Sequence, residues 1–237
     1  MSSEPSSAPG TALVTGTSSG IGRAVALELI RGGWRVIGAD RAAPTISAEG
    51  FSAVELDLLN THELAAWTCR EGHDIDGLVH AAGTLTAAPL GQLDHEAGER
   101  MWRLHVAAAA VLADALIPRM AARRFGRVVL IGSRIADGMP GRSQYAATKA
   151  ALVALARSWA AEVAAQGVTV NVIAPAATRT AMLGDPARAT SAPRIPPIGR
   201  LIEPEEVASL VGYLFSPSAA AITGQSIAIC GGASLSR

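Results

Sequence analysis

The chain has 237 residues, a formal net charge of zero and 49% hydrophobic residues. That length and apolar content suffice for one large α/β domain with a sizeable core. The basic residues are scattered along the chain, which argues against a nucleic-acid face or an anionic membrane and leaves small molecules as the expected partners. The longest apolar run, residues 106–113, is far shorter than the roughly 18 residues that span a membrane.

The N-terminus and the cysteines indicate where the protein works. Residues 1–10 are polar and contain no apolar signal segment, so we expect a disordered lead-in and no export. Cys69 and Cys230 lie far apart and match no metal-binding spacing. We therefore expect two buried thiols, no metal site and a reducing, cytoplasmic location.

Short β-branched or apolar runs alternate with longer alanine- and leucine-rich stretches of helical period. This alternation predicts βαβ units and a parallel sheet in one domain, residues 11–237. The predicted strands are 11–15, 34–40, 52–56, 77–80, 127–131, 168–173 and 226–229, and the predicted helices are 21–31, 60–71, 94–123, 143–166 and 204–215. Only residues 41–50, including Pro44, separate the second and third strands, so a crossover helix there must be short or absent.

A glycine-rich turn joins the first strand to the first helix. Glycines let a backbone approach a pyrophosphate closely, and a helix N-terminus offers N–H groups and a positive dipole end. The pattern predicts a dinucleotide site at Gly16, Ser18, Ser19, Gly20, Ile21 and Gly22.

The same turn also spells G-x-S-x-G, the nucleophile elbow of a hydrolase, with Ser18 as the nucleophile. An elbow of that kind needs an earlier strand and loop to supply half of its oxyanion hole. Nothing structured is expected before residue 11, which disfavours the hydrolase alternative.

Asp40 closes the second predicted strand, where a carboxylate accepts hydrogen bonds from the ribose 2′-OH and repels a 2′-phosphate. Asp40 therefore favours NAD over NADP, although Arg41 follows directly and is able to pair with that phosphate. Asp57 and Leu58, after the third strand, are expected near the adenine; the alternative for Asp57 is an N-cap of the next helix.

Lys149 is the only lysine among twenty basic residues, and it stands four places after Tyr145 in a predicted helix. Residues four apart share one helix face, so the ammonium can lower the pKa of the phenol, which is near 10 in a free tyrosine. The pair predicts a tyrosine acid/base. The alternative is chance, since one remaining lysine must lie somewhere.

Taken in order, the motifs resemble those of the short-chain dehydrogenase/reductase family across nearly the whole chain. They are Thr15-Gly-x-x-x-Gly-Ile-Gly22, His80-Ala-Ala-Gly83, Ser133, Tyr145-Ala-Ala-Thr-Lys149 and Asn171-Val-Ile-Ala-Pro175 followed by Thr180. The resemblance implies a Rossmann-type, doubly wound, mostly parallel seven-stranded sheet in a single domain. It also implies hydride transfer between a nicotinamide cofactor and a secondary alcohol or ketone.

The resemblance assigns roles to the site residues. Tyr145 would exchange a proton with the substrate oxygen, Ser133 would hold that oxygen, and Lys149 would bind the nicotinamide ribose; a capping role is the alternative for Ser133. Further cofactor contacts are expected from His80, Ala81, Ala82, Gly83, Pro175, Ala176, Thr178 and Thr180. Substrate contacts are expected from Thr84, Arg134, Met139 and Gln144, under a lid formed by residues 181–202.

Three positions depart from the family pattern. His80 replaces an asparagine and can supply similar hydrogen bonds, while Ala176 replaces a glycine. His105 stands where the family has an asparagine that holds a proton-relay water, so a relay histidine and a packed histidine both remain open.

The sequence therefore predicts an NAD(H)-dependent oxidoreductase for secondary alcohols and ketones. One alternative is a 3-oxoacyl thioester reductase that uses NADP(H); another is a nucleotide-binding protein without turnover, against which Ser133, Tyr145 and Lys149 argue. The family also suggests a homotetramer that packs through residues 94–123 and 143–166.

Overall fold

Seven parallel strands form one sheet in the computed structural model, which describes residues 10–184 and 194–235. The strands are β1 (Thr11–Thr15), β2 (Arg35–Asp40), β3 (Phe51–Glu55), β4 (Ile75–His80), β5 (Gly126–Ile131), β6 (Val168–Pro175) and β7 (Ser226–Ile229). Their order is β3-β2-β1-β4-β5-β6-β7, so the direction of winding reverses between β1 and β4. Such a reversal opens a crevice at the carboxyl ends of the strands.

Helices cover both faces of the sheet. They are α1 (Gly20–Arg31), α2 (Thr61–Glu71), α3 (His95–Trp102), α4 (Ala108–Ala122), α5 (Ser143–Val163) and α6 (Pro204–Phe215). Because successive strand residues point to opposite faces, Leu13 packs with α2, α4 and α5, while its neighbours Ala12 and Val14 pack with α1 and α6. Both faces are covered, so β1 and β5 are buried at every residue and their apolar residues do not alternate with exposed polar ones.

The predicted fold is confirmed, with β1, β7 and α6 ending at the predicted residues. No helix lies between β2 and β3, as Pro44 and the short spacing indicated. The long predicted helix 94–123 is divided by a π turn at Arg103–Ala107, which connects α3 to α4. Sequence periodicity did not reveal this turn, because one extra residue in a helix barely disturbs an apolar pattern.

The continuous helical segment His95–Ala122 is the one helix in the described ranges that is long and apolar enough to cross a membrane. Half of its most apolar window is buried inside the protein. Leu112, Leu116 and Met120 lie in the core against the sheet. Packing in the core therefore accounts for the apolar character of this segment.

The remaining predictions concern the two cysteines, the lid and the N-terminal lead-in. Cys69 is exposed and Cys230 is partly exposed, so the expectation of buried thiols was wrong. The predicted lid begins as a short 3-10 turn, Ala181–Gly184, and residues 185–193 lie outside the described residues. The predicted lead-in lies outside them too, except for Gly10.

Candidate active site

A cleft of about 840 Å³ opens at the carboxyl ends of the strands. Its walls come from the turn after β1, the end of β2, the segments after β4, β5 and β6, and the first turns of α5. This is the crevice that the reversal in strand order predicts, and its volume lies within the ordinary range for ligand sites.

The glycine turn brings α1 close to the segment after β4. Gly16 has a φ of +76° and Gly20 a φ of +52°, values that favour glycine. A Cβ on Gly16 would lie 2.9 Å from the Cα of Ala82, and a Cβ on Gly22 would lie 2.2 Å from the carbonyl oxygen of Gly16. The first-turn N–H groups of α1 have no acceptor within the helix and lie at the cleft wall, which fits a pyrophosphate.

The predicted contact of Ser18 with the cofactor is not supported by its position. Ser18 does not line the cleft, and its hydroxyl donates to the carbonyl of Ala42 at 3.0 Å. Its backbone N–H donates to Asp40. The serine thus ties the turn to the loop after β2, and this geometry also argues against a nucleophile elbow.

Asp40 and Arg41 both line the cleft at the carboxyl end of β2. One Asp40 oxygen accepts from the Ser18 N–H at 2.9 Å, and the other accepts from the Ala42 N–H at 3.0 Å. These two bonds hold the carboxylate beside the glycine turn, where a ribose would lie.

Asp57 also lines the cleft, and its Oδ1 accepts from the N–H of Leu59. The N-cap of α2 is Asn60, whose side chain accepts from the N–H of Glu63 at 3.1 Å. The alternative role of Asp57 as the helix cap was therefore wrong. Asp57 and its neighbour Leu58 both line the cleft.

Tyr145 and Lys149 lie on the first turns of α5, and both line the cleft. Lys149 is 5% exposed, and its Nζ donates to the Ile131 carbonyl at 2.8 Å. Nζ is 5.6 Å from the centroid of the Tyr145 ring. Burial lowers the pKa of Lys149 from 10.5 to about 7, because a desolvated ammonium is disfavoured.

Ser133 follows β5 and also lines the cleft. Its Oγ accepts from the N–H of Ile135 at 3.3 Å, so it does cap a 3-10 turn. A hydroxyl that accepts one bond keeps its own proton for donation. The cap and the predicted contact with a substrate oxygen are therefore compatible.

Comparison with known proteins agrees with this geometry. A family model described as enoyl-(acyl carrier protein) reductase matches residues 16–234. The chain is 36% identical over 238 residues to the 3-oxoacyl-[acyl-carrier-protein] reductase FabG of Haemophilus influenzae, covering 95% of this chain and 98% of the relative. It is 35% identical to the enzyme of the same name from Vibrio harveyi, covering 93% of this chain and 96% of that one. A solved structure described as a short chain dehydrogenase/reductase family protein superimposes with a TM-score of 0.87 and 35% identity, covering 95% of this chain and 97% of that chain.

The chain belongs to the short-chain dehydrogenase/reductase family. It is an oxidoreductase of that type, and the family's nicotinamide cofactor fits the glycine turn, Asp40 and Lys149, which all line the cleft. Most of the residues predicted for the family's site line one cleft. Beyond Ser133, Tyr145 and Lys149 they are Gly16, Ser19, Gly20, Ile21, Gly22, Asp40, Arg41, Asp57, Leu58, Ala81, Ala82, Gly83, Thr84, Arg134, Met139, Pro175, Ala176, Thr178 and Thr180.

Three further predicted residues do not reach the cleft of this family member. His80 is 1% exposed and His105 is fully buried, and both lie beneath the cleft floor. Gln144 points away, and its amide donates to the Asp94 carbonyl at 3.1 Å. His80 and His105 were assigned from the family pattern and Gln144 from its neighbours, whereas a helix or strand turns adjacent side chains in different directions.

Arginines and aliphatic side chains line the part of the cleft where a substrate would lie. Arg142 is buried at the wall, near Tyr145 and Arg134, and burial lowers its pKa. Arg100 also lines the cleft and pairs with Glu96, whereas Arg179 does not line it and pairs with Glu203. The apolar part of this wall consists of Leu85, Leu104, Ile135, Met139, Pro140, Met182 and Leu183. Of these residues the sequence predicted Met139 and, within the lid, Met182 and Leu183, and folding brings the others to the same cleft.

Proposed function

We propose that this protein reduces the 3-oxo group of an acyl thioester to a secondary alcohol. The observation that carries the proposal is that Ser133, Tyr145 and a set of aliphatic side chains line one cleft. A serine and a tyrosine suit a carbonyl oxygen, and an aliphatic wall suits an acyl chain. The names of the relatives from Haemophilus influenzae and Vibrio harveyi support the same substrate class.

Ser133, Tyr145 and Lys149 each have a separate role in the proposed reduction. The glycine turn and Asp40 would hold a reduced nicotinamide cofactor, which would supply the hydride to the carbonyl carbon. Ser133 donates a hydrogen bond to the carbonyl oxygen, and Tyr145 donates the proton that this oxygen needs as negative charge develops on it. When Lys149 carries its proton, its charge near the phenol stabilises the phenolate that remains.

The description of the matching family model names an enoyl substrate instead, so the decisive experiment compares two thioesters. Consumption of reduced nicotinamide is measured with a 3-oxoacyl thioester and with a 2-enoyl thioester of the same chain length. We expect kcat/KM to be at least about tenfold higher for the 3-oxo compound, and Tyr145→Phe to remove about 10²-fold or more of that activity. Turnover of simple secondary alcohols without any turnover of the 3-oxoacyl thioester would contradict the proposal and favour a general alcohol dehydrogenase.

We further infer a preference for NADH over NADPH, based on the carboxylate of Asp40 at the ribose end of the cleft. Titration of both reduced nucleotides into the protein tests this. Asp40→Asn keeps one acceptor oxygen but removes the charge, so we expect it to strengthen NADPH binding about tenfold or more relative to NADH. Arg41→Ala is the matched control and is expected to weaken NADPH only. Equal affinity of the native protein for the two nucleotides would contradict the inference.

A cytoplasmic location is our inference from the use of a nicotinamide cofactor and from two cysteines that are unpaired in the structure. Cell fractionation with an antibody to the native protein would test it. Recovery in the membrane or secreted fraction would count against it.

A further inference from the structure

Two histidines lie buried beneath the cleft floor, and each ring uses both nitrogens within the protein. His80 ends β4, and His105 is the central residue of the π turn between α3 and α4. Three residues with hydroxyl or N–H groups surround them: Thr15, Thr84 and Thr148. The pattern of donors and acceptors assigns the proton of each ring.

The proton of His80 lies on Nε2. Thr15 Oγ1 accepts from the N–H groups of Ala81 at 3.0 Å and Ala82 at 3.1 Å, which occupies both of its lone pairs. Its own proton must therefore go to His80 Nδ1, 3.1 Å away. That leaves Nε2 as the donor to the Leu104 carbonyl, also at 3.1 Å.

His105 has the opposite tautomer. Thr148 Oγ1 donates to the Tyr145 carbonyl at 2.8 Å, so it accepts from His105 Nδ1, also at 2.8 Å. His105 Nε2 then accepts from the N–H of Thr84 at 3.0 Å. The His105 ring also stands edge-on to the Tyr145 ring, with 5.6 Å between centroids.

These bonds connect the cleft wall to the helix that carries Tyr145 and Lys149. Thr84 belongs to the wall, Leu104 and His105 belong to the π turn, and Thr148 lies one turn along α5 from Tyr145. We propose that His80 and His105 are positioning residues, two neutral imidazoles of opposite tautomer that hold the Thr84 segment and the π turn in register with Tyr145. The proposal rests on the proposed function, since it concerns how the same site is assembled.

The geometry excludes a second proton on either ring without loss of a bond. A proton on His105 Nε2 would face the Thr84 N–H, and a proton on His80 Nδ1 would face a hydroxyl that already accepts two bonds. The titratable neighbours are Lys149, Tyr145 and the other histidine, and neither ring bonds a carboxylate in the described ranges. Burial, assisted by Lys149, lowers the pKa of His80 to about 4, and the same causes lower the pKa of His105.

This arrangement also answers whether His105 relays protons. Both ring nitrogens are occupied by Thr148 and Thr84, and the ring does not line the cleft. A relay would need a nitrogen that exchanges its proton toward the substrate. His105 instead acts through the groups it holds.

Histidine-selective ¹⁵N NMR of the whole protein tests the tautomers without any substrate. We expect one ring protonated at Nε2 and one at Nδ1, both unchanged between pH 8 and pH 6. Assignment follows from loss of one set of signals in His80→Asn and of the other in His105→Gln. The exposed residues His62, His73 and His95 provide reference signals from outside the buried pair. An imidazolium at pH 7 from either buried ring, or equal tautomers, would overturn the proposal.

Two substitutions at His105 then test positioning. His105→Gln retains a carbonyl oxygen able to accept from the Thr84 N–H, so we expect kcat within about threefold of the native value, whereas His105→Leu leaves that donor unpaired and should lower kcat about tenfold or more. KM and melting temperature are measured alongside, with His62→Leu as the matched surface control. If His105→Leu does not fold, Thr148→Val, which removes the acceptor of the Nδ1 proton, carries the same expectation.

Equal kcat for His105→Leu and the native protein would overturn the positioning role. The NMR result is independent of the substrate, so correct tautomers together with no activity on 3-oxoacyl thioesters would reject the proposed function alone. Titration of reduced nucleotide into the same variants shows whether the Thr84 segment still meets the cofactor.

Discussion

Lys149 shows at the residue scale how composition can indicate chemistry. Nineteen arginines serve the rest of the chain, and the single lysine is buried beside Tyr145 with its Nζ bonded to the Ile131 carbonyl. A Cβ on Gly83 would lie 3.8 Å from this Nζ, which shows how closely the cleft wall approaches. A compact ammonium fits such a place, whereas a planar guanidinium is larger and directs its donors in a fixed fork.

We therefore predict that Lys149→Arg lowers kcat by about 10²-fold or more, although the formal charge is preserved. The loss is expected in the chemical step, with Tyr145→Phe at least as damaging. Steady-state kinetics and thermal melts measure the effect. Arg157→Lys, an exposed exchange of the same two residue types on α5, is the matched control and should change nothing. Turnover of Lys149→Arg near the native level would show that the ammonium is replaceable.

At the scale of secondary-structure elements, the close contact between the glycine turn and α1 shapes the predicted nucleotide site. Helix α1 starts so close to the turn that Gly22 has no room for a side chain, since a Cβ would lie 2.2 Å from the Gly16 carbonyl oxygen. Gly32, at the other end of the same helix, has no such restriction, because a Cβ there would meet its nearest atom at 3.4 Å. A side chain is therefore excluded by its surroundings at Gly22 but not at Gly32, although both are glycines at an end of α1.

Gly22→Ala is expected to push α1 away from the turn. Overpacking of this kind costs about 1–3 kcal/mol, so the melting temperature should fall by several degrees, and reduced-nucleotide affinity should fall about tenfold or more. Gly32→Ala is the matched control and should leave both nearly unchanged. Nucleotide titration and thermal melts test the pair. The steric argument fails if Gly22→Ala binds NADH as tightly as the native protein.

Acid sensitivity is a property of the whole molecule that follows from the buried histidine pair. The pKa of His80 is near 6.5 in the unfolded chain, and burial lowers it to about 4 in the folded protein. The unfolded state thus binds more protons in this window, so the free energy of unfolding decreases as pH falls from 6.5 toward 4, by on the order of 3 kcal/mol from this residue. His105 contributes in the same direction.

Urea denaturation at several pH values between 4 and 8 measures this loss. We predict that His80→Asn, which does not titrate, flattens the dependence relative to the native protein. The exposed variant His73→Asn is the control and should follow the native curve. Parallel curves for His80→Asn and the native protein would refute the prediction.

Assembly is the second prediction at this scale. Helix α5 leaves Ala147, Ala150 and Ala154 exposed at intervals of three and four residues, and Trp102 on α3 is 48% exposed. Together with the family resemblance, these surfaces lead us to propose a homotetramer through α4 and α5. Sedimentation at micromolar concentration should show about four times the chain mass of 24.2 kDa. Ala154→Arg should dissociate it, and Ala65→Arg on the exposed face of α2 should not; a native monomer would refute the proposal.

The sequence by itself determined the seven strands, the glycine turn and the spacing of Tyr145 and Lys149 on one helix, whereas Ser133 came from the family resemblance. These features follow from local rules: apolar periodicity, the backbone needs of glycine and the spacing of residues along one helix. Such signals lie within a few neighbouring residues, so a linear sequence carries them completely. The family, supported by the comparisons, was recognisable from these features.

Only the tertiary structure decided which side chains face the cleft and which lie beneath it. His105 and Gln144 stand in expected segments, yet one bonds Thr84 and Thr148 and the other bonds Asp94. The π turn likewise carries no mark in the sequence. Hydrogen-bond partners more than twenty residues away set these directions, and such pairings exist only once the strands and helices have packed.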